Sequence, residues 1–301
     1  MKRDLLTLLD LAREEILYLV KESAVLKSQQ KKGISCQPLL GKTVAMIFEK
    51  PSTRTRVSFE VGIAQLGATP VVLSAGEMQL GRGETVEDTG RVLSRYVDGI
   101  MIRAYSHEAV ETLAGAATVP VINGLTDTTH PCQILSDLFT IYERRGDVEG
   151  MTVAYVGDGN NVAHSWILAA ARLDFTLRLG CPEGYEPARE ILAKAPGERV
   201  KVFHDPVEAV KDADVVYTDV WASMGQEEEA QKRLRDFEGY QVTSDLMSHA
   251  KGDAVFMHCL PAHRGQEVSA EVMDGPQSIV FDQAENRLHA QKAILAFLLL
   301  H

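Results

Sequence analysis

Apolar and polar positions along this chain follow two different rhythms. Over the first thirty residues, Leu5, Leu8, Leu9, Ala12, Ile16, Leu19 and Val20 recur at helical spacing among Arg, Glu and Lys, which predicts a helix ended by Gly33. Beyond it, short continuous apolar runs take turns with amphipathic stretches. Runs at 43–48, 70–73, 99–102 and 119–122 predict strands, and 52–66, 85–97 and 107–116 predict the helices between them. The pattern restarts after a charged segment, 144–150, bounded by two glycines. Strands are then predicted at 152–156, 176–179, 200–203, 215–218 and 254–257, with helices at 161–173, 186–193, 206–211 and 227–234. A long last helix, 283–300, is apolar on one side. Unbroken apolar runs belong to strands covered on both faces, so the expected class is α/β, with two doubly wound parallel-sheet domains. Such folds bind ligands outside the carboxyl ends of the strands.

Size and charge narrow the function. A chain of 301 residues fits two domains of roughly 150 each. With 31 Lys+Arg against 42 Asp+Glu the net charge is −11, which argues against a duplex nucleic-acid partner. The four cysteines, Cys36, Cys132, Cys181 and Cys259, are far apart and form no CxxC, so neither a disulfide framework nor a structural metal is expected. Lys2 and Arg3 suggest the start of a signal segment, but Asp4 and Asp10 interrupt the apolar stretch. The longest apolar tract, 293–300, falls far short of the roughly 20 residues a membrane span needs. The expectation is a soluble cytoplasmic protein, with no membrane partner and no transit segment ahead of its first helix.

The first strand delivers Ser52-Thr53-Arg54-Thr55-Arg56 to the start of a helix. Ser52 suits the N-cap and Gly67 the far end. Helix N-termini present free N–H groups and a favourable dipole to anions. Three hydroxyls interleaved with two guanidiniums add donors there, and Arg grips phosphate through paired bonds. An anion cradle without P-loop glycines therefore outweighs simple helix capping. Other strand ends add Arg103, in Met-Ile-Arg, and the stretch Thr128-Thr129-His130-Pro131-Cys132-Gln133. Singly, Arg103 reads as a surface arginine and His130 as a cap.

Together, STRTR, MIR and HPCQ resemble the aspartate/ornithine carbamoyltransferase family. The resemblance implies that Ser52, Thr53, Arg54 and Thr55 bind carbamoyl phosphate. Arg103, His130 and Thr55 would donate to its carbonyl oxygen and Gln133 would contact its amino group, with Cys132 packing rather than reacting. Donors aimed at that oxygen suit amine attack, where charge develops on it in a tetrahedral intermediate.

The second half offers Gly157-Asp158-Gly159-Asn160-Asn161 after its first strand. It superficially suggests a dinucleotide turn but lacks GxGxxG, so no nicotinamide cofactor is expected. Asparagine amides at a helix start suit a carboxylate or an amino-acid backbone. Asp219 ends a strand before an SMG loop and suits an ammonium group. His258, Cys259 and His263 lack a fourth ligand at sensible spacing, so no metal is expected.

D-x-x-x-S-M-G resembles the family's ornithine-using branch, and HCLP is another family hallmark. Within the resemblance Asn161 binds the ornithine α-carboxylate, and Asp219, Ser223 and Met224 hold the α-amino end. Cys259 and Leu260 lie by the reacting groups. Arg287, in ENR at the opening of the last helix, meets carbamoyl phosphate. Gln79, in GEMQLGRGET, belongs to a loop shared between subunits of a homotrimer. Residues 1–145 would form the carbamoyl-phosphate-binding domain and 146–284 the ornithine-binding domain, with 285–301 returning to the first. The implied activity is carbamoyl transfer to the δ-amino group of L-ornithine, giving citrulline and phosphate, as in arginine biosynthesis, without a cofactor. A bacterial or archaeal enzyme is expected. Rivals are transfer to another amine, a nicotinamide-dependent dehydrogenase prompted by GDGNN, and a silent phosphometabolite binder.

Overall fold

The computed structural model describes residues 2–74, 76, 83–222 and 229–300. The chain divides into two compact units, Met1–Arg144 with Glu285–His301, and Arg145–Ala284. Among the described residues no helix is long and apolar enough to cross a membrane.

The first unit is built from α1 (Arg13–Lys31), β1 (Thr43–Phe48), α2 (Thr53–Gln65), β2 (Thr69–Ser74), α3 (Val86–Leu93), β3 (Gly99–Arg103), α4 (His107–Ala116), β4 (Val121–Leu125) and α5 (Pro131–Arg145). Its sheet has the order β2-β1-β3-β4, and every pairing is parallel. Starting at the central strand and winding outward both ways is the doubly wound arrangement. Ala45, Ile47, Ile100, Ile102 and Val121 pack under Val110, Leu113 and Ala114 of α4.

The second unit runs β5 (Thr152–Val156), α6 (Asn161–Ala170), β6 (Thr176–Gly180), α7 (Arg189–Leu192), β7 (Val200–Phe203), α8 (Pro206–Val210), β8 (Val215–Thr218), α9 (Ala230–Asp236), α10 (Ser244–Ser248), β9 (Val255–His258) and α11 (Ala270–Met273). Its sheet is also parallel, in the order β7-β6-β5-β8-β9. Trp166 of α6 meets the ring of Tyr217 edge-on at 5.7 Å, and Tyr217 stacks on Tyr155 at 5.8 Å, fixing the two strands that end nearest the site. The last helix, α12 (Val280–Leu299), begins in the second unit, and its greater part belongs to the first.

The N-terminus departs from its sequence pattern. In place of one helix over thirty residues, the chain starts extended. Leu5 bridges Ile122, its N–H donating to Val121 O at 2.9 Å while Asn123 N donates to Leu5 O at 2.8 Å. A short 3-10 turn, Leu8–Asp10, follows before α1. Asp10 Oδ2 accepts from Thr7 N at 2.7 Å and Thr7 Oγ1 from Leu9 N at 3.2 Å, a capping box that starts a helix here and closes off an earlier one. Elsewhere the differences are in length: α12 starts at Val280 rather than 283, α7 is one turn, and α10 and α11 carry no pattern long enough to announce them.

Candidate active site

In the first unit, α2 begins where the cradle requires. Ser52 is its N-cap, the hydroxyl accepting from Thr55 N at 3.3 Å, and Gly67 ends it at φ +85°. Thr53 and Arg54 face solvent in the first turn, while Thr55 is fully buried. The Thr55 hydroxyl is the meeting point of two distant arginines. Arg103, at the end of β3, donates from Nη1 at 3.3 Å, and Arg287, in α12, donates from Nη2 at 3.0 Å. A hydroxyl oxygen has two lone pairs. With both engaged, the Thr55 proton keeps only a donor's role.

His130 is buried just before α5, its carbonyl accepting from Gln133 N at 3.1 Å. Burial, then the charges of Arg287 and Arg103, hold its imidazole well below the usual histidine range, so the ring is neutral near pH 7. Gln133 donates to Asp137 at 2.9 Å, and its Oε1 is buried with no partner among the described residues. That leaves an acceptor suited to an N–H ligand. Burial pushes the Cys132 thiol up to about 12, and it points at Asn123 O at 3.3 Å, an inert packing position.

Lys50 is a residue the sequence patterns passed over. It is buried beside the cradle, 4.2 Å from the ring centroid of Tyr105, and paired with Asp127. It thereby ties the end of β1 to the loop before His130. Its signal was a lysine two residues past the end of an otherwise apolar strand.

In the second unit, the GDGNN turn explains its own glycines. Gly157 has φ +136°, and a Cβ on Gly159 would lie 2.3 Å from Pro187 N. The glycines accommodate the chain's own backbone. Asn160 then caps α6, its Oδ1 accepting from Val162 N at 2.9 Å and Ala163 N at 3.3 Å. Those are amides a pyrophosphate would need, which removes the structural basis of the dehydrogenase rival. Asn161 is the first residue of α6 and half-buried.

Asp219 lies just past β8 and is the hub here. Its Oδ2 accepts from Asn160 Nδ2 at 2.8 Å, and its Oδ1 from Val220 N at 2.8 Å and Cys259 Sγ at 2.9 Å. Three of about four lone-pair positions are thus engaged. Cys259 and Leu260 follow β9 and are half-buried. Asp219, His258 and Cys259 stand close enough to suggest a metal. His258, however, accepts from Leu260 N on Nδ1 at 2.9 Å and faces Glu267 with Nε2 at 3.2 Å, so it has no nitrogen to offer.

The pairing of Asp158 with Arg233 was not visible in the sequence patterns. Arg233 Nη1 donates to Asp158 Oδ2 at 2.8 Å and to Trp221 O at 2.7 Å. Desolvation raises the Asp158 pKa although Arg233 opposes it. Gln79, Ser223 and Met224 lie outside the described residues.

Comparison with known proteins agrees in both halves. The carbamoyl-P binding domain of the aspartate/ornithine carbamoyltransferases matches residues 3–143, and their Asp/Orn binding domain matches 149–298. An ornithine carbamoyltransferase of Syntrophus aciditrophicus is 58% identical over 302 residues, spanning 99% of this chain and 100% of that one. One of Pyrococcus abyssi is 57% identical, spanning 99% and 96%. Among solved structures, ornithine carbamoyltransferase from Pyrococcus furiosus superposes with a TM-score of 0.96 at 56% identity, covering 99% of this chain and 97% of that one.

Proposed function

The chain belongs to the aspartate/ornithine carbamoyltransferase family, and from that premise we propose that it transfers the carbamoyl group of carbamoyl phosphate to the δ-amino group of L-ornithine, releasing citrulline and phosphate. The observation that carries the chemistry is the Thr55 hydroxyl, locked as an acceptor for Arg103 and Arg287 and left with a proton to give. Such a donor suits an oxygen that becomes anionic in a tetrahedral intermediate.

In this reading the first unit binds carbamoyl phosphate. Ser52, Thr53, Arg54 and Thr55 hold the phosphate at the N-terminus of α2, and Arg287 adds charge. Arg103, His130 and Thr55 face the carbonyl oxygen. A neutral His130 donates a hydrogen bond without serving as an acid near pH 7. The unpartnered Oε1 of Gln133 accepts from the carbamoyl amino group. The second unit binds ornithine: Asn161 at the α-carboxylate, and Asp219, Ser223 and Met224 at the α-amino end. Cys259 and Leu260 lie by the reacting groups. The δ-amine must shed a proton before it attacks, so kcat/KM rises with pH, and a flat profile contradicts direct amine attack. Carbamoyl phosphate is already activated, so no covalent enzyme intermediate is required.

We also infer a cytoplasmic homotrimer in which the loop bearing Gln79 reaches a neighbouring subunit's site. Exposed Val57 and Val61 on α2 and Val71 on the edge strand β2 offer an apolar face to another copy. The deciding assay offers ornithine, putrescine, N-acetylornithine and aspartate separately with carbamoyl phosphate. Turnover with ornithine alone supports the whole assignment. Turnover with a different amine keeps the first-unit reading and overturns the second.

A further inference from the structure

The turn after β9 is held from beneath by a pair of side chains with no part in the reaction just described. Leu260 has φ +60°, a left-handed conformation that is costly for a residue with a Cβ. Its N–H donates to His258 Nδ1 at 2.9 Å. A backbone amide can only donate, so Nδ1 carries no proton and the ring proton sits on Nε2. Nε2 lies 3.2 Å from Glu267 Oε1, and both side chains are fully buried. The same carboxylate oxygen accepts from His263 N. Glu267 is itself anchored, its carbonyl accepting from Val242 N at 2.9 Å, and His258 N donates to Gln283 Oε1 at 2.9 Å. The opposite tautomer would set two protons against each other at Leu260 and turn a bare nitrogen toward a carboxylate.

We propose that Glu267 is a positioning residue: it fixes the Nε2–H tautomer of His258, and through the Leu260 amide holds the turn that presents Cys259 to Asp219. The kinetic part of the test rests on the carbamoyl-transfer reading, whereas the spectroscopic part does not. In full-length enzyme labelled with [15N]histidine, and with His258 assigned through His258→Asn, Nδ1 reads as the unprotonated nitrogen of the neutral ring and Nε2 as the protonated one. Glu267→Gln keeps the Oε1 acceptor and holds kcat/KM for ornithine within about fivefold of wild type. Glu267→Met removes it and lowers that value at least ~30-fold, while KM for carbamoyl phosphate moves less than about threefold. A neutral ring protonated on Nδ1 overturns the proposal. So does a folded Glu267→Met enzyme with wild-type kinetics. Should Glu267→Met not fold, the spectra of the wild type and Glu267→Gln decide alone. A wild-type protein inert toward carbamoyl phosphate and ornithine would fail the functional reading and leave the tautomer result standing.

Discussion

Replacing Thr55 with valine keeps nearly the same volume in a fully buried position and removes one oxygen. Two costs of different kinds follow. In the free protein, Arg103 and Arg287 lose the acceptor they reach at 3.3 and 3.0 Å. The longer bond is weak and the shorter ordinary, so the loss is ~2–3 kcal/mol on the scale of hydrogen bonds to charged groups. For a unit of this size that lowers Tm by roughly 5–10 °C. During reaction, a donor to the developing oxyanion disappears, worth ~3–4 kcal/mol, or roughly 10²- to 10³-fold in rate. Because that bond strengthens toward the transition state, the loss falls on kcat more than on KM for carbamoyl phosphate. Initial rates of citrulline formation at saturating substrates measure it, with a thermal melt confirming the fold. Thr55→Ser retains the hydroxyl and stays within about fivefold of wild type. A folded Thr55→Val enzyme within about tenfold of wild type would refute the donor role.

Arg54→Ala removes an exposed guanidinium from the first turn of α2, and kcat/KM falls on the order of 10³-fold; loss below about tenfold in steady-state assays would remove Arg54 from the phosphate site. Asp219→Asn raises KM for ornithine while leaving carbamoyl phosphate affinity nearly intact by calorimetry; equal damage to both would break the two-site division. Burial, then Lys292 and Lys27, lower the His289 pKa to about 4, with Lys31 adding to the fall and Glu143 opposing it. The folded chain therefore binds fewer protons there than the unfolded one, whose histidine titrates near ~6.5. Its stabilising effect is complete above ~6.5 and is lost as pH falls toward 4, by ~1–2 kcal/mol after allowance for solvent screening. His289→Gln flattens this acid limb in melts across pH, and an unchanged limb would exclude His289 as its source.

The fold was largely legible because parallel strands covered on both faces, such as β1, β3 and β8, leave unbroken apolar runs. The failures have physical causes. Leu5 and Leu8 fit a helical stripe, yet Leu5 is buried as a strand partner of Ile122, a long-range pairing that local periodicity cannot register. At the site, Ser52, Thr55, Arg103, His130, Asp219 and Cys259 stood out through the motifs that carry them, whereas singly Arg103 and His130 read as a surface arginine and a helix cap. Lys50 and Arg233 were not legible, because each acts through a partner far away in sequence, Asp127 and Asp158, and Glu267 was not, for a different reason. Glu267 sits nine positions beyond His258, in a stretch without periodicity, and only the fold reveals its burial.

The two units also resolve how so acidic a chain handles an anionic substrate. Net charge counts residues, whereas binding depends on where they lie. In the first unit Arg103 and Arg287 converge on one buried hydroxyl, and the pKa of His130 is lowered first by burial and then by those same charges. The cluster is thus electropositive without any proton that normal pH removes. In the second unit, the donors around Asp219 are an amide side chain, a backbone N–H and a thiol, all uncharged. They orient the carboxylate without bringing a positive charge to it, which fits the ammonium-binding role proposed for Asp219. Had an arginine occupied the place of Asn160, the same three-donor geometry would have neutralised Asp219 and left the amine nothing to recognise. The polarity of each half therefore follows from where its ionic groups lie, and the chain's overall charge does not enter.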